Sequence, residues 1–213
     1  MTMSAEPIAL DGRSLGKRGA QTRRRLLDAT ARLLESHGVR DLRVVDIARA
    51  VGTSPATFYQ YFRDVAEAVL VVAEEVGEDL APIGELLAQP WEGETGVDAA
   101  RELVEEFMAY WDSHRAVLRT RNLAAQEGDR RFRDVRNESL RPLREGLAAK
   151  VAESQRAGRV GHEIAPMAAA AALAAMMERM AAFHADLEPY GVSRTELVET
   201  TARIIFQTVT GQR

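Results

Sequence analysis

The chain has 213 residues, of which 46% are hydrophobic and 28% charged, enough for a sizeable core and ordinary for a soluble globular protein. It contains no cysteine, which excludes disulfides and thiolate metal or redox centres and suits a reducing cytoplasm. Its net charge of −4 is unevenly spread: up to Arg63 there are eleven Lys and Arg against six Asp and Glu, leaving 17 basic and 26 acidic residues beyond. A basic head on an acidic body is the balance expected of a nucleic-acid-binding protein whose body avoids the nucleic acid.

Residues 1–16 contain Pro7, Gly12 and Gly16 and no sustained period, and read as a mobile arm. Arg13, Lys17 and Arg18 lead into Arg23, Arg24 and Arg25, a cluster suited to phosphate or minor-groove contact. No hydrophobic core of a signal peptide follows. The longest uncharged apolar stretch, residues 165–177, is too short to span a bilayer. A cytoplasmic location with no membrane partner is expected.

A first helix is expected from about residue 20 to 37, with Leu26, Leu27, Thr30, Leu33, Leu34 and His37 on its inner stripe and Gly38 as its stop. Asp41 is placed to cap the next helix. Over residues 44–62, VVDIARAVGTSPATFYQYF, Val44, Ile47, Ala48 and Val51 define one apolar face. Gly52 and Thr53 end that helix, Ser54 caps a second, and Pro55 suits its first turn. Phe58 and Phe62 face inward, four apart, while Pro55, Ala56, Tyr59 and Gln60 point the other way. This is a helix-turn-helix, whose second helix can enter a major groove.

Beyond it, Asp64 is a suitable cap for a helix carrying Val65, Val69, Leu70, Val72 and Val76, continuing to about Leu80 until Pro82 bends or ends it. Residues 88–96 are a connection. Helices follow over 97–114 and 116–127, then over 129–157 with a kink or split at Pro142. Gly158 and Gly161 precede a helix over about 165–187, and Ser193 caps a last one reaching about Thr208. No strand pattern competes.

The residues DIA at 46–48 and AVGTSPATFYQYF at 50–62, with RRRLLDATARLLESHGVRDL upstream, closely resemble the signature of the TetR family of transcriptional regulators. The resemblance implies an all-α protein, with residues 17–63 as a three-helix DNA-binding domain and residues 64–213 as a helical effector-binding and dimerisation domain. It implies base contacts from Pro55, Ala56, Tyr59 and Gln60 and phosphate contacts from Thr57 and Tyr61. The chemistry agrees: Gln pairs bidentately with adenine, and Ala, Pro and a Tyr ring suit thymine methyls. Ser54 and the helix N-terminus offer further donors to phosphate. Three positions depart from the family pattern. Arg43 stands where threonine or serine is common, Val45 where a basic residue is common, and Val65 where lysine often opens the fourth helix. Arg43, Arg63 and the cluster Arg23, Arg24 and Arg25 would then supply the phosphate grip.

By the same resemblance the last two helices pair with a second copy, the alanines of 168–172 with Ala174, Ala175, Ala181 and Ala182 allowing close approach and Leu197, Val198, Ile204, Ile205 and Val209 adding apolar area. Phe107, Met108, Trp111, Met176, Met177, Met180 and Phe183 are large or adaptable apolar residues fit to line an effector cavity, although the same spacing also serves a plain core. Asn122, Gln126 and Glu178 are polar groups able to orient a ligand or to satisfy one another. The effector expected is an apolar small molecule: a lipid, acyl thioester, steroid or drug-like compound. His37, His114, His162 and His184 are scattered, with no HExxH, Walker, GxSxG or strand-borne GxGxxG motif, so no catalytic residue, metal or cofactor is assigned. The alternative is a ligand-binding or adaptor protein with a weakened DNA head.

Overall fold

The computed structural model describes residues 10, 14–36 and 41–212. Most of the expected arm, with Arg13, and the first-helix assignments at His37 and Gly38 lie outside the described residues. Among the described residues the regular structure is helical, and the chain forms two compact units. The first is discontinuous, made of residues up to Val76 and Ala116–Val135; the second holds Gly77–Arg115 and Arg136–Arg213.

The first unit contains α1 (Lys17–Ser36), α2 (Val44–Ala50), α3 (Pro55–Phe58) and α4 (Val65–Glu78) up to Val76. The expected stripe holds: Leu26, Leu27, Thr30 and Leu34 are buried, and the Thr30 hydroxyl donates to the Leu26 carbonyl at 2.8 Å. Ile47, Ala48, Phe58, Phe62, Val69 and Val72 join them, with Val117, Leu118 and Phe132 from the returning segment. Each of the Leu, Ile, Val and Phe side chains among them contributes about 1.5–3 kcal/mol by leaving water. Asp64 caps the first turn of α4, accepting the Glu67 N–H at 2.8 Å. That helix stops at Glu78, four residues before Pro82, because Leu80 and Ile83 already turn back through Ile83 N–H to Leu80 C=O.

In the second unit α5 (Ile83–Ala88) packs on α8 (Arg141–Arg156), and α8 packs on α9 (Pro166–Phe183) and α10 (Arg194–Thr210). Between α5 and α8 runs α6 (Gly93–Gln126), which passes from the second unit into the first. The helices expected over 97–114 and 116–127 are both present in this span, meeting at a kink where His114 has non-helical angles (φ −125°, ψ 19°). No Gly or Pro is present there; the His114 Nε2 is held by Asp79 at 3.2 Å. After α7 (Arg130–Ser139), Leu140 breaks the backbone and Pro142 sits in the first turn of α8, where its missing N–H costs nothing. The helix expected over 165–187 ends sooner, at Phe183. A 3-10 segment, His184–Tyr190, replaces its last turn because Pro189 cannot donate to an α-helical ladder. Ser193 and Glu196 then form a reciprocal capping box on α10. Gly96 allows a close crossing: a Cβ there would lie 2.6 Å from the Trp91 carbonyl carbon and 2.7 Å from the Phe206 ring.

Candidate nucleic-acid interface and effector region

Turn chemistry fixes the backbone over residues 52–62. Gly52 adopts φ +69°, a left-handed conformation that glycine takes without strain, and lets the Gly52 and Thr53 N–H groups donate to Arg49 and Ala48 carbonyls at 3.1 and 2.9 Å. Ser54 Oγ then accepts the Thr57 N–H at 3.3 Å, with Pro55 in the first turn. Only residues 55–58 are strictly α-helical, but turns continue through Phe62, whose N–H reaches the Phe58 carbonyl at 3.1 Å. Phe58 and Phe62 are fully buried with ring centroids 5.4 Å apart. They aim the opposite side outward: Pro55, Ala56, Tyr59 and Gln60 are exposed, Tyr59 at 53%. Leu10 donates its backbone N–H to the Gln60 carbonyl at 3.2 Å. Thr57 and Tyr61 are half-buried, and a Cβ on Gly19 of α1 would lie 3.6 Å from the Tyr61 hydroxyl.

Asp41 does not cap α2. Arg43 occupies the cap position without a side-chain cap bond, since a guanidinium has no acceptor to offer the first N–H groups; it pairs instead with Asp46 (Nε to Oδ2, 3.0 Å). The other arginines of the expected phosphate grip also have partners. Arg23 lies over the Phe62 ring, 5.3 Å from its centroid. Arg24 bridges Asp28 and Glu75 at 2.6 and 2.7 Å. Arg25 donates to the Val51 carbonyl at 2.6 Å, tying α1 to the end of α2. Arg63 binds Glu67 through Nε at 3.2 Å, through a terminal nitrogen at 3.1 Å and through its own backbone N–H at 2.6 Å. Burial pushes the Glu67 carboxyl up, yet the Arg63 bonds hold it below its ordinary value. Arg23 and Arg25 are thus held by an aromatic ring and a carbonyl, whereas Arg24, Arg43 and Arg63 are paired with carboxylates. Their i,i+3 and i,i+4 carboxylates are visible in sequence; Glu75, reached only through the fold, is not. Val45 is exposed and Val65 half-buried.

Of the residues considered for an effector cavity, Phe107, Met108, Trp111 and Met177 are buried in the second unit, while Met176, Met180 and Phe183 are half-buried. Arg179 lies 3.8 Å above the Phe183 ring. Asn122 falls in the first unit, where it accepts from Arg121 Nε at 3.1 Å, and Gln126 is exposed. Glu178 is buried on α9 and engaged by the Arg136 guanidinium, with one bond of 3.2 Å to Nε. Sequence reasoning missed this pair, since 42 positions separate its members. The Trp111 indole N–H is buried without a hydrogen-bond partner.

A second polar cluster joins the end of α9 to α6. Asp112 Oδ1 lies 2.8 Å from His184 Nε2 and 2.6 Å from an Arg115 nitrogen, and Arg115 also donates to the Ala182 carbonyl at 2.6 Å. Burial pushes the Asp112 carboxyl up, but the bonds from His184 and Arg115 hold it below its ordinary value of 3.8. Of the apolar residues assigned to self-association, Ala170, Ala174, Ala181, Ala182, Leu197, Val198, Ile205 and Val209 are buried within the second unit. Ala168, Ala171, Ala172, Ala175 and Ile204 stay exposed. Among the described residues no group of three His, Asp or Glu is placed to hold a metal, and no helix is long and apolar enough to cross a membrane.

Two family models match the chain: bacterial regulatory proteins of the tetR family over residues 26–67, and the tetracyclin repressor-like C-terminal domain over residues 83–213. No curated protein matches significantly by sequence. Among solved structures, the fatty acid degradation regulator of Bacillus halodurans is similar with a TM-score of 0.66 at 17% identity, covering 91% of this chain and 97% of that one. A transcriptional regulator of Bacillus subtilis, solved with stearoyl-CoA, gives 0.64 at 15% identity over 89% and 99%. A transcriptional repressor of Thermus thermophilus, solved with lauroyl-CoA, gives 0.59 at 22% identity over 87% and 94%.

Proposed function

The chain belongs to the TetR family of bacterial regulatory proteins, and from that membership we propose that it is a homodimeric transcriptional repressor released from a palindromic operator by an apolar small molecule. The carrying observation is the exposed set Pro55, Ala56, Tyr59 and Gln60, aimed outward by the buried Phe58 and Phe62. In this reading Gln60 and Tyr59 read base edges, Ser54, Thr57 and Tyr61 hold phosphates, and Arg23, Arg24, Arg43 and Arg63 add positive charge along the backbone.

Two heads, one DNA turn or a multiple apart, require a two-fold partner. The exposed Ala168, Ala171, Ala172 and Ala175 with Ile204 supply a face of small side chains for a second copy. The effector region is in the second unit, where Phe107, Met108, Trp111 and Met177 offer apolar surface and Arg136–Glu178 a charged group. Structural relatives solved with stearoyl-CoA and lauroyl-CoA favour an acyl thioester among apolar compounds. Such a ligand acts through unequal affinity for the DNA-competent and released conformations.

Selection of bound fragments from random DNA with the purified protein tests the reading. A recovered palindrome is the expected result, and its affinity falls when a long-chain acyl-CoA is added. No enrichment at low salt favours the adaptor alternative, and enrichment insensitive to acyl-CoA, steroid and drug-like panels removes the effector assignment.

A further inference from the structure

The turn at Gly128 opens onto a helix with arginine at 130, 131, 133 and 136. The first three belong to the same compact unit as the helix-turn-helix. Phe132 is buried and anchors this turn of α7, so Arg130, Arg131 and Arg133 fan outward and are all exposed. Arg131 is held by Asp129, at 2.7 and 3.2 Å. Arg130 and Arg133 have no carboxylate partner among the described residues, unlike Arg24, Arg43 and Arg63 of the head. Asp134, exposed on the same turn, leaves the local balance positive.

This turn lies in the same compact unit as Arg63 and the start of α4. The Arg131 charge acts on Arg63 and Glu67, and Asp64 and Glu67 act on Arg131. Arg63 directly follows Phe62, the last residue of the recognition segment.

We infer that Arg130 and Arg133 form a second phosphate-gripping edge, binding the DNA backbone that flanks the half-site read by Tyr59 and Gln60. The inference rests on the operator-binding reading for its register, but the contact is independent of sequence. Exposed arginines without an internal anion meet phosphate without first surrendering a carboxylate. Each phosphate neutralised on B-DNA adds about 0.9 to the slope of log affinity against log salt.

The test is equilibrium binding across a salt series for the full-length protein and an R130A/R133A double variant, on a selected operator with long flanks, the same operator trimmed to its half-sites, and a random duplex. Removing both contacts per head is expected to lower the slope by about 1.8 per head, about 3.6 for the two-headed dimer on the long duplexes, so that the affinity gap changes roughly a hundredfold between about 50 and 200 mM salt. The gap shrinks on the trimmed duplex, the selected base sequence is unchanged, and R130K/R133K keeps most of the slope. Equal slopes for wild type and the double variant on both long duplexes overturn the inference. A slope difference without preference for any sequence upholds the phosphate edge and overturns the operator reading alone. Melting temperatures equal to wild type verify that neither variant has lost the fold.

Discussion

Gln60 and Glu67 stand on opposite sides of one electrostatic question, and single substitutions separate them. Gln60 is exposed and has no side-chain bond among the described residues, so Gln60→Ala is expected to cost about 1–3 kcal/mol on the operator and almost nothing on random DNA. Equal losses on both would remove its base-reading role. Glu67 does the reverse, pairing with the Arg63 guanidinium through two bonds and with its backbone N–H through a third. Glu67→Gln is expected to tighten binding to every duplex and steepen the salt dependence, because the freed guanidinium adds a phosphate contact. Fluorescence anisotropy at several salt concentrations checks both. The outward set at 55, 56, 59 and 60 was legible in the sequence because two phenylalanines four apart can only bury one side of so short a helix. The second partner of Arg24 was not, since Glu75 meets it only when α4 lies beside α1.

At the scale of elements, local rules carried where a single residue dictates the backbone. Gly52, Ser54, Asp64, Pro142 and Ser193 each act where their chemistry places them. Gly52→Ala is expected to cost about 1–2 kcal/mol, the penalty of a left-handed residue with a Cβ. No other heavy atom lies within 4 Å of that Cβ, so Gly52→Asn recovers part of the loss in a denaturant titration. Gly96→Ala fails for the opposite reason. Its backbone needs no special angle, but the new methyl meets Trp91 and Phe206, and overpacking of about 1–3 kcal/mol follows. Sequence patterning missed the Gly96 crossing and the early end of α9 because both depend on what packs alongside. The break at His114 falls at the boundary between the two helices expected over 97–114 and 116–127, although no helix-breaking residue marks it.

Over the whole molecule, the carboxylate at Asp112 gathers His184, Arg115 and Arg194 around one point of the second unit. Its folded-state value lies below the ordinary 3.8, so the stability it contributes is complete above that range and is lost as pH falls through the lowered value. Asp112→Asn is therefore expected to melt lower than wild type near neutrality, with the gap closing below about pH 4. A gap independent of pH would show that the cluster acts by shape alone. Self-association is tested on the exposed small-residue face: Ala172→Glu with Ala175→Glu is expected to give monomers in sedimentation and to weaken operator binding, while leaving each unit folded.

The returning segment at residues 116–135 has a further consequence for how such a chain is inherited. Because the first unit is completed by a stretch that follows part of the second in sequence, no single cut in the polypeptide yields both units intact. A fragment ending at Val76 lacks Val117, Leu118 and Phe132 from its core. Recombination by one crossover near residue 76 would join the head of one relative to the returning segment of another, so the two halves of this core have to match across parents.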